Sequence, residues 1–99
     1  MFQAQTTVQA KKADKYTQTL AKHFSKKVTV ESSEGVSKII FSMGTCTMSL
    51  NNDTIHLQCE SLEKEGLDTV KEIISSHLGM LKELKSVSLE WQEETLTKD

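Results

Sequence analysis

Of the 99 residues, three histidines (His23, His56, His77) and two cysteines (Cys46, Cys59) are the side chains best suited to chemistry. An imidazole gains or loses a proton near neutral pH and ligates metals. A thiol becomes a nucleophile or a metal ligand once it is ionised. The spacing of these five residues matches no catalytic signature. There is no phosphate-binding glycine loop, no nucleophile elbow, no HExxH helix and no CxxC pair. Any site must therefore be assembled by the fold.

The cysteines show how. Asn51-Asn52-Asp53 is a turn cluster between two alternating segments, Cys46-Met48-Leu50 and Ile55-Leu57-Cys59. If Asn52-Asp53 is a two-residue hairpin loop, Cys46 faces Cys59, Met48 faces Leu57 and Leu50 faces Ile55, all on the inward face. Two facing thiols could close a strained cross-strand disulfide, hold a soft metal, or pack as small apolar residues. The expectation is reduced thiols and no bound metal or cofactor. His77 falls within the apolar arc of a helix, between Leu62, Ile73, Met80 and Leu84 on one side and Leu78 on the other, and is expected to be buried, neutral and hydrogen-bonded. His23 lies at the edge of another helical stripe beside Phe24. Zinc would need His23, Cys46, Cys59 and His77 to converge from unrelated elements, and that is not expected. These four are the ligand-binding candidates, and none is assigned a catalytic role. His56 alternates onto the outer face, which is rich in Thr and Ser and light in charge, so that a second copy could pair there.

The elements that must position these residues follow from the hydrophobic period. Phe2 to Ala10 alternates with period two and predicts a strand. Tyr16, Leu20 and Phe24 predict a helix over about 13–26, with Lys11, Lys15, Lys22 and Lys26 on a different face. That lysine stripe is the candidate for docking to an acidic partner or phosphate. Four short strands follow, from Val28, Val36, Thr45 and Thr54. A second helix is expected to run to about residue 83, with Ser61 as N-cap and a stripe of Leu67, Val70, Ile74, His77, Leu78 and Leu81. A last strand, Val87-Leu89-Trp91, and a frayed tail over 95–99 complete the chain. The fold class is α+β, in the order β-α-β-β-β-β-α-β, with both helices on one face of a curved antiparallel sheet. Residues 1–94 are expected to form one domain.

Composition narrows the function classes. The net charge is −2, but residues 1–27 carry six Lys and one Asp while the remainder carries six Lys and thirteen acids. There is no Arg. Without its planar fork, sequence-specific nucleic-acid recognition is not expected. No apolar run is long enough to span a bilayer. The start shows no basic and apolar leader, so the expected location is the cytoplasm.

Tyr16-x3-Leu20-x2-His23-Phe24, Phe41-x2-Gly44-x-Cys46, His77-Leu78 and Trp91, in that order and spacing, resemble a bacterial domain-of-unknown-function family, number 2218. The resemblance covers nearly the whole chain. It implies a TATA-binding-protein-like or helix-grip-like sheet, assigns no activity, and hints at iron or siderophore physiology. This chain departs from the family's pattern at Met80-Leu81, where the family tends to place Arg-Phe. The functional expectation is a non-enzymatic module for a small ligand or a protein partner. The alternative is a thiol- and histidine-dependent enzyme or redox sensor using His77, His23 and Cys46.

Overall fold

The computed structural model describes residues 1–81 and 89–95. Its elements are β1 (Phe2–Gln9), α1 (Ala13–Ser25), β2 (Thr29–Ser33), β3 (Val36–Ile40), β4 (Thr45–Asn51), β5 (Thr54–Ser61), α2 (Lys64–Leu78) and β6 (Gln92–Thr95). The strands form one antiparallel sheet in the order β2-β3-β4-β5-β1-β6. The expected class, element order and register are all present: Cys46 pairs with Cys59, Met48 with Leu57 and Leu50 with Ile55.

Turn chemistry fixes that register. Glu34 and Gly35 have φ of 33° and 81° and join Ser33 to its partner Val36. Positive φ at both loop residues gives the turn a twist that matches the strands. Asn52, at φ 55°, turns the chain between the paired Asn51 and Thr54, and Asn tolerates this left-handed conformation better than most side chains.

Period-two alternation then sorts the faces. Ala4, Val8, Ile39, Cys46, Met48, Ile55, Leu57 and Cys59 are at most 2 % exposed. Helix α1 adds Tyr16, Leu20 and Phe24, and α2 adds Leu67, Val70, Ile74 and Leu78, to the same apolar cluster. The other face of the sheet carries Gln3, Gln5, Thr7, Thr47, Ser49, His56 and Gln58, in register with one another.

Three sequence expectations are corrected. Helix α2 ends at Leu78 rather than near 83, and Leu62 and Met80, read as part of its arc, lie outside it at 78 % and 73 % exposure. The chain turns at Gly79-Met80, with the Met80 N–H bonded to the His77 carbonyl. Ser61 closes β5, and the N-cap position belongs to Glu63, whose side chain makes no capping bond. The last strand lies over Gln92–Thr95, so Leu89 and Trp91 pack against the core from outside a strand and Thr95 belongs to β6 rather than to a tail. Leu84, Ser86, Val87, Ser88 and residues 96–99 lie outside the described residues.

Charge ties β6 to α2. Glu93 is opposite Ala4, so its side chain is on the helix side of the sheet. There it accepts hydrogen bonds from both Lys64 and Lys71, and Asp68 lies 2.9 Å from Lys64 Nζ and 3.6 Å from Lys71 Nζ. Lys64 first, and Lys71 with it, hold the Glu93 carboxyl below the usual carboxylate range; Lys64 does the same to Asp68. A folded-state pKa below the unfolded one means that the unfolded chain binds protons first as pH falls. The network therefore stabilises fully above the unfolded glutamate pKa of about 4.3 and is lost as pH drops through the folded values. Urea titrations of wild type and Glu93→Gln should show the variant losing less stability between about pH 5 and 3. Parallel acid profiles would disprove the contribution of Glu93.

Candidate functional site

The structure brings the sequence candidates together in two pairs. Cys46 and Cys59 face each other across β4 and β5, fully buried and not joined by a disulfide. The hydrogen bond with Cys59 and burial in the core both push the Cys46 thiol up, well above the usual cysteine range. A thiol kept protonated and out of reach of solvent is a small core residue in its chemistry, not a nucleophile.

His77 is half-buried rather than part of a closed core, because it faces the end of α1 instead of the sheet. Its Nδ1 donates to the Ile73 carbonyl one helical turn back, at 2.7 Å. Its ring lies 4.6 Å from that of Phe24 and 5.1 Å from that of His23, which is exposed. Phe24 in turn meets Phe41 edge-to-face at 5.7 Å. Lys11, Lys15, Lys22 and Lys26 are all exposed. His56 is half-buried on the outer face, where its Nε2 donates to Gln5 Oε1 at 3.2 Å. It borders a recess of about 450 Å³ with Thr7, Glu90 and Gln92.

None of the four ligand candidates lines a cavity of about 610 Å³ that opens to solvent where the β3–β4 turn meets the start of α2. Its walls include Phe41, Met43, Leu62, Lys38, Glu60 and Glu63. Its shape depends on two glycines and a serine. The buried Ser61 hydroxyl donates to the Met43 carbonyl at 2.6 Å and accepts from the Glu63 N–H at 3.2 Å, linking the turn to the helix start. A Cβ on Gly44 would fall 2.4 Å from the Glu60 carbonyl oxygen. One on Gly66 would fall 2.4 Å from Ser61 Oγ and 2.7 Å from the Met43 carbonyl oxygen. Backbone thus approaches backbone too closely for any side chain. Met43 and Leu62 are left uncovered at the mouth, 36 % and 78 % exposed. The sequence signal for this corner was a glycine inside a helical pattern, which costs helix stability and so asks for a packing reason.

Phe41, Met43 and Leu62 offer apolar surface, while Lys38, Glu60 and Glu63 add charge at the rim. Among the described residues no three His, Cys, Asp or Glu side chains are grouped to hold a metal, and no helix is long and apolar enough to cross a membrane.

A family model described as an uncharacterized protein conserved in bacteria matches residues 5–92. The NMR structure of PA4090 from Pseudomonas aeruginosa is similar in fold, with a TM-score of 0.75 over 95 % of this chain and 96 % of that one, at 24 % sequence identity. No curated protein matches the sequence.

Proposed function

Because the chain belongs to the uncharacterised bacterial family DUF2218, whose description assigns no activity, we propose a function from geometry: a non-enzymatic module that binds a small amphipathic molecule. The observation that carries this reading is the open cavity of about 610 Å³ between the β3–β4 turn and α2. Its size is within the usual range for small-molecule sites, and such sites pair apolar walls with a few polar groups. The ligand's apolar body would lie on Phe41, Met43 and Leu62, and its polar end would meet Lys38 or the glutamates. The thiol-dependent alternative has no comparable support, since Cys46 and Cys59 are buried and His77 donates to its own helix. The tie to iron and siderophore physiology rests on the family resemblance. The cavity's own chemistry asks only for an apolar body and a polar end.

Nile red, a neutral amphipathic dye, is a suitable probe. Its fluorescence should rise saturably with one equivalent of folded protein. Leu62→Glu should weaken binding about tenfold or more, because one uncovered leucine contributes roughly 1.5–3 kcal/mol when buried. Met80→Glu is a matched control, equally exposed but away from the cavity, and should bind as wild type does. Absence of saturable binding, or equal loss in both variants, would reject the cavity as the site.

A further inference from the structure

His23 and His77 come from different helices and occupy the last turns of both. Their ring centroids are 5.1 Å apart with planes at 56°. The Ile73 carbonyl can only accept, so His77 Nδ1 carries the proton, and in the neutral ring Nε2 is a bare lone pair. A ring nitrogen donating to a backbone carbonyl while the other stays free is the arrangement that orients metal-ligating histidines. Two imidazoles on one tetrahedral cation, with bonds of ~2.1 Å, place their ring centroids roughly 5 Å apart. Phe24 packs against both rings and limits their rotation. The two helix C-termini meet here, and their partial negative charge favours a cation.

We propose that His23 and His77 form a two-histidine site for a late first-row divalent cation such as zinc, copper or nickel, with water completing the shell. Imidazole nitrogen selects this class, whereas magnesium and calcium require oxygen ligands. With two protein ligands the site is open and exchangeable, unlike a four-ligand structural zinc. Lys22, Lys26 and Lys27 are exposed close by in sequence. Their charge opposes a cation but is screened by solvent, so affinity comes from the nitrogen lone pairs. The cysteines take no part, being wholly buried in the sheet.

The test is calorimetric titration of untagged protein with zinc chloride, with the histidine ring resonances followed by NMR. The expected result is one zinc per chain, shifts at His23 and His77 but not His56, and no heat from magnesium chloride. His23→Gln, at an exposed position where folding is not at stake, should weaken zinc binding at least about tenfold. His77→Gln should do the same if its melting curve shows that it folds. His56→Gln should bind as wild type does. No saturable uptake below about 1 mM zinc, full affinity in His23→Gln, or loss in His56→Gln would each overturn the proposal. The dye-binding site lies elsewhere, so its failure or success leaves this outcome independent.

Discussion

Gly66→Ala is expected to destabilise the protein by about 3 kcal/mol, near the upper end of the cost of overpacking. That figure is net of the gain of ~1 kcal/mol that alanine usually brings to a helix interior. The added methyl would sit 2.4 Å from Ser61 Oγ and 2.7 Å from the Met43 carbonyl oxygen. The serine hydroxyl could rotate away only by giving up its bond to Met43, and the carbonyl belongs to backbone held in the turn. A melting temperature lower by roughly 10–20 °C should result. Gly79 supplies the opposite sign on the same helix. It has φ −63°, and a Cβ there would meet nothing closer than 3.5 Å. Gly79→Ala should therefore raise stability by about 0.4–1 kcal/mol, through a less flexible unfolded chain. If the two alanine variants melted together, the close approach at Gly66 would be refuted.

Leu57→Ala should cost about 2–5 kcal/mol, the range for a fully buried leucine that leaves a cavity. Leu57 is 0 % exposed, between Thr6 on β1 and Met48 on β4. Its sequence neighbour His56 points to the other face and makes one hydrogen bond, to Gln5. His56→Ala should cost no more than about 1 kcal/mol. Urea denaturation of both variants measures the difference directly. A larger loss from His56→Ala than from Leu57→Ala would mean that the strand is out by one residue.

That register could be read from sequence because two independent constraints agreed. Apolar alternation named the inward residues, and the Asn52-Asp53 loop set the pairing between strands. The last strand could not be read in this way. Gln92-Glu93-Glu94-Thr95 has no apolar alternation, since all four side chains are exposed and the strand is held by backbone pairing to β1 and by the Glu93 bridges. The alternation at Val87-Leu89-Trp91 is the stronger pattern, yet Leu89 and Trp91 lie outside any strand, and Val87 falls outside the described residues. The end of α2 was misplaced for a similar reason. Leu81 continues the helical stripe, but the chain turns away after Leu78, and Gly79, still at right-handed angles (φ −63°, ψ −14°), adopts no conformation that only glycine allows.

The sites were legible only in fragments. His23 and His77 were both singled out, yet nothing in either helix's own pattern says that the two C-terminal ends meet. Sequence proximity is no guide either, because the contact spans most of the chain. The cavity is not legible in the sequence even though Phe41 and Gly44 of the Phe41-x2-Gly44-x-Cys46 motif line it, because that motif does not say which other segments meet it. It forms where the Phe41–Gly44 turn, the end of β5 and the start of α2 crowd together. Leu62 was assigned to a buried arc on helical spacing, although it precedes the helix. Ser61 was noticed for a capping role and instead fastens the turn to the helix start.

The place of β1 bears on how the protein is made. Residues Phe2–Gln9 are made before every other strand of this sheet, yet their neighbours in it are β5 and β6. Their nearest pairing partners lie 45 to 59 residues downstream, from Gln9 with Thr54 to Phe2 with Ser61. At usual synthesis rates that gap lasts roughly 3–10 s. Throughout it an alternating, half-apolar strand has nothing to pair with, while β2 to β5 can zip locally as hairpins. Joining β1 to β5 closes a far longer loop than any pairing among β2 to β5, and such non-local pairings form slowly. Until β5 has been made, the nascent chain thus carries an unpaired strand of this sheet, so a chaperone that holds β1 during synthesis should matter more for the yield than one acting on the released chain.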